Sequence, residues 1–265
     1  MTNNDLYVKI LCVIFFERGV VLPNFIDLHN HSLFGVDDGA QTLDMAKKML
    51  DIAYNDGIKT ICLTPHFKAH HFSDDTTIFA YNDRISKNFL ILADYVKAKY
   101  PDMTLLLGNE IMFHNDICDS LSSKKCRFLG QSKYVLIEFK PETPEYEIKN
   151  TISRVLRRGY NPIIAHIERY TAFHKNKQLL DTFANMGALL QVNALSVVKF
   201  KFGKTARLIK YALKKALVSF ICTDAHNDSD FSPTLSNAYK IISSKYGVGY
   251  ANNIFFENQS KILNS

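Results

Sequence analysis

The sequence is poor in several features that assign a compartment or a partner directly. Its five cysteines form no Cys-x-x-Cys pair and no even disulfide framework, which is typical of a protein from the reducing cytoplasm. It contains no dense run of basic residues, although Lys and Arg outnumber Asp and Glu by 32 to 26. We therefore expect no nucleic-acid partner, while the mild positive balance fits an anionic substrate or an acidic partner.

Long apolar runs are also lacking. The nearest approach is Val8–Leu22, which is interrupted by Lys9, Glu17 and Arg18 and is too short and too charged to span a bilayer. This stretch also lacks the small-residue cleavage pattern of a secretory signal, so we expect no membrane insertion. No linker or low-complexity tract divides the 265 residues, which favours a single folded domain.

From Phe25 onward, short apolar runs alternate with amphipathic segments. The predicted strands are Phe25–Leu28, Ile58–Leu63, Met103–Leu107, Tyr134–Phe139, Pro162–Ala165, Ala188–Val192 and Leu217–Cys222. The predicted helices are 42–57, 144–158, 177–187 and 206–216. This alternation favours parallel β/α units, and about seven of them in this length indicate an α/β barrel that is closed or nearly closed. No Gly-x-Gly-x-x-Gly follows the first strand, which counts against a dinucleotide-binding fold.

Histidines and carboxylates stand where the predicted strands end. Residues two apart in a strand point to the same side, so His29 can reach the same point as His31, and Asp224 the same point as His226. The other candidates are His66, Glu110, Glu138, His166 and, in the turn after the first strand, Asp37 and Asp38. Any one of them alone would more commonly be a hydrogen-bonded histidine or a solvated acid. Their repetition at the face where β/α barrels carry active sites indicates a metal site.

The donor types narrow the choice of metal. Imidazoles and carboxylates without cysteine suit manganese, iron or zinc. Several carboxylates can bridge ions, so we expect two or three ions rather than one. Bound cations lower the pKa of water and would generate a bridging hydroxide near neutral pH.

These residues belong to a longer series of motifs that resembles a known family. The matching segments, in order, are Ile26–His31, Val36–Ala40, Thr64–His66, Gly108–Ile111, Tyr134–Phe139, Pro162–Tyr170, Gln191–Asn193 and Asp224–Asn227. They resemble the polymerase-and-histidinol-phosphatase (PHP) superfamily. More narrowly, they resemble its manganese-dependent bacterial protein-tyrosine phosphatases of capsule and exopolysaccharide loci. The resemblance extends from about Phe25 to the end of the chain and implies a distorted (β/α)₇ barrel.

The resemblance also implies a ligand set. The first ion would be held by His29, His31, Glu110 and Asp224. The second would be held by Glu110, Glu138 and His166. The third would be held by Asp38, His66 and His226. Arg169 would bind the phosphoryl group and act with Asp224 and His226 in catalysis, because its fork of donors fits phosphate oxygens. A salt bridge from Arg169 to Glu168 or another acid is the alternative interpretation.

The implied activity is hydrolysis of phosphotyrosine by a metal-bridging hydroxide, with Mn²⁺ as the expected cofactor and Fe or Zn as alternatives. The expected partner is the phosphotyrosine tail of a bacterial tyrosine kinase that controls capsule or exopolysaccharide synthesis. Two other functions stay open at this point. One is a small-molecule phosphoesterase such as a histidinol phosphatase. The other is a metal-bound regulatory domain without catalysis, which would be expected to have an incomplete ligand set. The oligomeric state is open as well.

Three features depart from the family pattern or imitate another one. Family members often carry an arginine shortly after the Asp-x-His motif, whereas Asn227–Pro233 contains none. The family usually begins almost directly at the first strand, so we expect residues 1–24 to be a dispensable extension or the product of a start assigned too far upstream. Residues 25–265 would then form the phosphatase domain. Cys12–Arg18 has the spacing of a Cys-x₅-Arg phosphate loop, but its bulky interior and Glu17 would not wrap a phosphate.

Overall fold

The structure is a computed structural model that describes residues 24–264. Nearly all of the predicted extension over residues 1–24, and with it Cys12–Arg18, lies outside these residues. The strands are β1 Phe25–Asn30, β2 Ile58–Leu63, β3 His66–Phe67, β4 Thr104–Leu107, β5 Glu110–Met112, β6 Tyr134–Glu138, β7 Asn161–Ile164, β8 Leu189–Asn193 and β9 Phe220–Cys222.

Helices follow most of these strands. They are α1 Leu43–Asn55, α2 Asp75–Lys99, α3 Ile117–Ser122, α4 Glu145–Arg157, α5 Thr171–Lys175, α6 Leu179–Asn185, α7 Ala194–Lys199, α8 Gly203–Lys214, α9 Ser236–Tyr246, α10 Val248–Asn252 and α11 Asn258–Leu263. Short 3₁₀ turns cover Ala69–His71 and Ile167–Arg169, and a π turn covers Asn253–Glu257. In the part of the chain that the structure describes, no helix combines the length and the hydrophobicity that crossing a membrane would require.

The nine strands are parallel and, within residues 24–264, occupy seven positions around a barrel. Two positions are each shared by two short strands, because β2 continues as β3 beyond Pro65 and β4 continues as β5 beyond Gly108. The pairing runs β1-β2-β4 on one side and β3-β5-β6-β7-β8-β9 on the other. The ring closes where β1 meets the end of β9: the His31 amide donates to the Ala225 carbonyl (3.0 Å) and the Asp224 amide to the His29 carbonyl (2.8 Å). The expected distorted (β/α)₇ barrel is confirmed.

Local sequence explains the first of the predicted helices. The Thr42 hydroxyl accepts a hydrogen bond from the Met45 amide (3.2 Å), which caps the start of α1. The helix then buries Ala46, Met49, Leu50 and Ala53 against the barrel. After its end, Gly57 adopts a φ of +94°, a conformation that glycine allows at no steric cost.

The apolar interior has two parts. The larger cluster lies between strands and helices and joins residues such as Ile61 and Ile137 to the helix faces. A smaller cluster alternates with it along the same strands and therefore fills the inside of the barrel. Its buried members are Ile26, Leu28, Cys62, Leu129, Leu136, Ile163, Ala165, Phe220, Cys222 and, from α11, Ile262. We call this second cluster the barrel plug.

Several predicted boundaries and omissions need correction. The strand predicted over Leu217–Cys222 begins only at Phe220, because the Leu217 amide instead donates to Ala212 and ends α8. Neither α2, the 25-residue helix that follows β3, nor the helices after Ser236 were predicted. The start of α2 has a clear signal, a reciprocal capping box between Asp74 and Thr77.

Candidate metal centre

A bulge in β1 brings the first two histidines into the barrel. Asp27 pairs with Ile61 and Asn30 with Leu63, so three steps along β1 match two along β2. The extra residue reverses the alternation of side chains, which is what a β-bulge does. Leu28 therefore faces the barrel plug while His29 and His31 also face inward, directly above it.

All nine predicted ligand residues meet at the carboxyl ends of the strands. The first group of donor atoms that lie within 4.8 Å of one another comes from His29, His31, Glu110 and Asp224. The second comes from His66, Glu110 and Glu138, and the third from His31, Asp38, His66 and His226. The first group coincides with the predicted first set, and the third adds His31 to the predicted third set. Their role as ligands stays a prediction, since no ion is present.

His166 is the one predicted ligand that belongs to none of these three groups, although it lies next to the second. Its Nε2 lies 2.9 Å from Glu110 Oε1 and 3.5 Å from Glu138 Oε1, so it reaches both carboxylates of the expected second set. His66 reaches the same two carboxylates from the other side, with Nδ1 2.9 Å from Glu110 Oε2. Glu110 therefore stands at the middle of the cluster, with imidazoles on both of its oxygens.

Buried donor atoms without partners indicate that the cluster fits cations. Six of its atoms are buried and have no hydrogen-bond partner of acceptable geometry among the described residues. They are His29 Nε2, His31 Nε2, His66 Nδ1, Glu110 Oε2, Glu138 Oε2 and Asp224 Oδ1. Unpaired buried polar atoms are costly and rare in folded proteins. Divalent cations would satisfy all six, and imidazole and carboxylate are the donors that manganese, iron and zinc accept.

The electrostatics of the cluster lead to the same conclusion. Burial opposes charge on Glu110, but the neighbouring His29 and His66 outweigh it and hold the pKa of this carboxyl well below its usual range. Burial also opposes protonation of His66, yet Glu110 and Asp38 raise its pKa to about 10. The pKa of His29 is likewise raised, since Glu110 and Asp224 overcome its burial. Protons on the histidines thus balance a surplus of negative charge that bound cations would otherwise neutralise.

Hydrogen bonds from behind the cluster fix the orientation of its histidines. Gln191 Oε1 accepts from the His166 amide (2.6 Å) and lies 3.2 Å from His29 Nδ1. Gln191 Nε2 donates to Asn193 Oδ1 (2.7 Å), and the side-chain Nδ2 of Asn193 donates to Asp224 Oδ2 (2.7 Å). Such partners set ring orientation and tautomer in metal sites. The sequence signal for them was two polar residues at alternate positions of a buried strand, but no role was predicted for either.

The turn after β1 places one acid behind the cluster and one in front of it. Asp37 Oδ2 lies 2.8 Å from His31 Nδ1 and accepts from the His66 amide (3.0 Å), so it positions two imidazoles. Asp38 instead points outward, with Oδ1 3.2 Å from His66 Nε2. Gly39 makes this turn possible, because a Cβ at that position would collide with the backbone carbonyl of His31.

Two cluster residues stand on unusual backbone. His166 has a φ of +29° and Asp224 a φ of +53°, values that residues other than glycine seldom adopt. Each residue follows a strand end, where the reversed backbone turns the side chain back over the barrel. Strain of this kind costs about 1–3 kcal/mol per residue and is concentrated at functional sites.

Arg169 lies at the edge of the cluster and pairs with one of its members. Its Nη2 donates to Asp224 Oδ2 at 2.7 Å, and 40 % of its side chain is exposed. The alternative interpretation of Arg169, a salt bridge to Glu168 or another acid, is therefore also met, with Asp224 as the acid. The exposed part of the guanidinium lines a cleft of about 650 Å³ together with Asn193, Phe200 and Phe231.

The segment that lacks the family arginine has a structure of its own. The side chain of Asn227 accepts from the amides of Ser229 (3.0 Å) and Phe231 (2.9 Å), which folds the segment into a tight turn. The Phe231 ring then stacks on His226 with 5.3 Å between centroids and 10° between planes. An aromatic ring therefore lies beside the cluster in this segment.

Comparisons with known proteins identify the family of this chain. The family model described as capsular polysaccharide synthesis, CpsB/CapC, matches residues 25–264. The tyrosine-protein phosphatase CpsB of Streptococcus pneumoniae is 34% identical over 243 residues, which cover 90% of this chain and 98% of the relative. The tyrosine-protein phosphatase YwqE of Bacillus subtilis is 29% identical over 225 residues, or 84% of this chain and 85% of the relative.

Solved structures show the same fold. A chain from the crystal structures of YwqE from Bacillus subtilis and CpsB from Streptococcus pneumoniae, described as unique metal-dependent tyrosine phosphatases, superposes with a TM-score of 0.78. It is 24% identical, and the match covers 90% of this chain and 94% of that one. A histidinol phosphate phosphatase from Lactococcus lactis, solved with zinc, L-histidinol and phosphate, matches less closely, with a TM-score of 0.50 and 17% identity. The family match over residues 25–264 agrees with the motifs and the strand-end cluster: this chain belongs to the CpsB/CapC family of capsular polysaccharide synthesis proteins.

Proposed function

We propose that this chain is a metal-dependent phosphatase that hydrolyses phosphotyrosine in proteins. The observation that carries the proposal is the set of three overlapping donor groups, which share His31, His66 and Glu110 beside the partly exposed Arg169. Overlapping groups suit a multinuclear site, which is a common way to hydrolyse phosphate esters. The names of the relatives, tyrosine-protein phosphatases at 34% and 29% identity, support the choice of substrate.

The proposed ligand sets are those expected from the sequence, with His31 added to the third. Mn²⁺ is the proposed cofactor, in two or three copies, and Fe or Zn are the alternatives that the donors also accept. Bound cations would withdraw charge from the phosphoryl oxygens and provide a nucleophile from water at neutral pH. All nine residues expected as ligands lie in this cluster, which argues against a purely regulatory metal-bound domain with an incomplete ligand set.

The residues of the chain itself bind and orient the substrate. Arg169 presents a planar fork of donors, and phosphate oxygens fit that fork in pairs. Asn193 and Arg169 both donate to Asp224 Oδ2, so this carboxylate keeps one oxygen engaged while the other, Oδ1, faces His29. A tyrosyl phenol has a pKa near ~10 and leaves as phenolate with little help, whereas a serine alkoxide is a much poorer leaving group. This difference favours aryl phosphates.

The biological setting follows from the family. We propose a cytoplasmic enzyme that acts on the phosphotyrosine tail of a bacterial tyrosine kinase in capsule or exopolysaccharide synthesis. The CpsB/CapC family model supports the capsule role.

An assay with defined metals tests the proposal. The protein is stripped with a chelator, and Mn²⁺, Fe²⁺ or Zn²⁺ is added back singly before turnover is measured on p-nitrophenyl phosphate, a phosphotyrosine peptide, the matching phosphoserine peptide and histidinol phosphate. We expect no turnover without metal, recovery with Mn²⁺, and preference for the two aryl phosphates. Faster turnover of histidinol phosphate than of the phosphotyrosine peptide would support the small-molecule alternative. Full turnover by the stripped protein would contradict the metal-dependent mechanism.

A further inference from the structure

A groove lined by lysines lies next to the cleft that contains Arg169. It is bounded by α7 and the segment that follows it, by α8 and by α9, and its volume is about 650 Å³. Its floor is apolar and includes Val197, Ile209, Leu213 and Ile241. Its rim carries Lys201, Lys210, Lys240 and Lys245. We call this surface the lysine groove.

The charge of the lysine groove is uncompensated. No acidic side chain is among the described residues that line it. Within residues 24–264, no carboxylate lies within 4.0 Å of the ammonium groups of Lys201, Lys240 or Lys245. Four exposed cations around an apolar floor are complementary to an acidic segment that also carries apolar side chains.

Two phenylalanines give the groove an unusually apolar edge. Phe202 is 86% exposed and Phe200 is 48% exposed, in the alternating sequence Lys199-Phe200-Lys201-Phe202. Aromatic rings are enriched at the buried centres of interfaces and are costly to leave in water without a partner. These rings therefore mark the groove as a surface that a partner covers.

The lysine groove and the cleft that contains Arg169 share one lining residue, Phe200. Phe200 lines both cavities: on one side it faces the lysine groove, and on the other it faces the cleft that contains Arg169. A polypeptide whose phosphotyrosine reaches the metal centre would thus have a path across Phe200 into the groove. A concave path of this kind fits an extended chain better than it fits a flat membrane surface.

We propose that the lysine groove is a docking site for an acidic and apolar segment of the phosphotyrosine substrate, a few residues away from the phosphotyrosine itself. The proposal rests on the proposed phosphatase function and adds a determinant of substrate choice outside the metal centre. Docking in the groove lowers KM for a polypeptide substrate and leaves the turnover of a small aryl phosphate unchanged. A membrane surface or a second copy of this chain are the competing occupants.

Matched substrates separate these possibilities. One phosphotyrosine peptide carries flanks of glutamate and leucine, and a second of the same length has glutamine in place of every glutamate. The third substrate is p-nitrophenyl phosphate, which cannot reach the groove. The variants of the Mn²⁺-loaded full chain are K240E/K245E and F202S. The control is K97E/K133E, which makes the same charge change at two exposed lysines that line none of the cavities described above.

We expect the parent to prefer the acidic peptide by about tenfold in kcat/KM, mostly through KM, which is the size that a few exposed charge pairs give together. K240E/K245E should abolish that preference and F202S should reduce it for both peptides. Turnover of p-nitrophenyl phosphate should stay within about twofold in both variants, and the control should behave as the parent. The preference should also shrink at high salt, because exposed charges are screened.

Other results would overturn the docking proposal. Equal turnover of the two peptides by the parent would do so, as would equal losses in K240E/K245E and in the control. Sedimentation of the parent with phosphatidylglycerol vesicles that K240E/K245E loses, without any peptide preference, would assign the groove to a membrane instead. Loss of a dimer in K240E/K245E, again without any peptide preference, would assign it to a second copy. Absence of turnover on all three substrates would contradict the proposed phosphatase function itself.

Discussion

The two halves of the barrel interior are built from the same strands and differ in almost every other respect. β1 gives Leu28 to the barrel plug and His29 to the cluster above it, and β6 gives Leu136 below and Glu138 above. The plug consists of buried apolar side chains. The cluster above it holds six buried donor atoms without partners and two residues with positive φ. The barrel plug therefore stabilises the fold. The cluster above it contains buried polar atoms and strained backbone, which are unfavourable for folding and are typical of a functional site.

Two buried carboxylates make the same comparison at the level of single residues. Asp27 accepts from the Thr223 amide (2.9 Å), the Thr223 hydroxyl (2.5 Å) and the Asn30 side chain (3.0 Å), so both of its oxygens are satisfied by the protein. The oxygens of Glu110 instead lie next to the imidazoles of four histidines, and its Oε2 lacks a hydrogen-bond partner of acceptable geometry among the described residues. Asp27 therefore holds β1 to the end of β9, whereas Glu110 is available to a cation.

Substitutions in the cluster above the plug should reduce turnover the most. Asp224→Asn keeps the shape of the side chain but removes a charge that faces His29 and Arg169. Turnover of p-nitrophenyl phosphate should fall by about a hundredfold or more, since even residues that only support metal ligands cost about 10- to 100-fold when removed. Asp228→Asn, which lies on the surface four residues away, should retain parent activity. Parent-like turnover by Asp224→Asn would remove this residue from the metal centre.

Substitutions in the barrel plug should instead reduce stability and leave turnover nearly unchanged. Leu136→Ala opens a cavity in the plug and should lower the free energy of unfolding by about 2–5 kcal/mol. Turnover per folded molecule should stay close to that of the parent at low temperature, because the Leu136 side chain belongs to the plug and to none of the donor groups. Denaturant unfolding and a parallel activity assay measure both quantities. A large loss of turnover with little loss of stability would show that the two halves are not separable.

Gln191 lies behind the cluster and contacts two of its histidines, so its substitution should affect metal binding more than stability. Gln191→Leu keeps the strand buried but removes the acceptor that faces His29 and the His166 amide. We expect the affinity for Mn²⁺ to fall about 10- to 100-fold, with a smaller change in the unfolding temperature of the ion-free protein. Gln178→Leu, an exposed position at the start of α6, is the matched control. Equal Mn²⁺ affinities in the two variants would contradict a positioning role for Gln191.

The pH dependence of stability should separate the loaded from the ion-free protein. The pKa values of His29 and His66 are raised in the ion-free protein by nearby carboxylates, for His66 to about 10. Stabilisation from a raised histidine pKa is complete below the pKa of the unfolded chain and is lost as the pH rises toward the folded value. Ion-free protein should therefore lose stability as the pH rises from about 6.5 to about 10, while Mn²⁺ binding strengthens because fewer protons compete. A melting-temperature gain on Mn²⁺ addition that shrinks as pH rises would contradict this.

The sequence predicted the barrel because its strands and its first helices carry strong local signals. The Thr42 cap, the apolar face of α1 and Gly57 suffice to place that unit. The predicted metal residues also reach one face, since carboxyl ends of parallel strands converge. The length of α2 was not predictable in the same way: its hydrophobic pattern is weak and only five of its 25 residues are buried.

Local sequence patterns do not predict the contacts that form only when the barrel closes. Asp37 supports His31 and His66 only because the Gly39 turn folds back on β1, and Gln191 meets His29 across 162 positions of sequence. The pairing of Arg169 with Asp224 and the lysine groove between α7, α8 and α9 likewise require the tertiary structure. Spacing within a segment gives residue types and faces, and the fold decides which of them touch.

We propose that the histidines and carboxylates at the strand ends form a single centre for several ions. Native mass spectrometry of the chelated protein after titration with Mn²⁺ counts the ions bound by each folded chain. We predict two or three ions in the parent, bound within one protein molecule, and fewer in Asp224→Asn. A parent chain that binds no ion, or only one at saturation, would contradict a multinuclear metal centre.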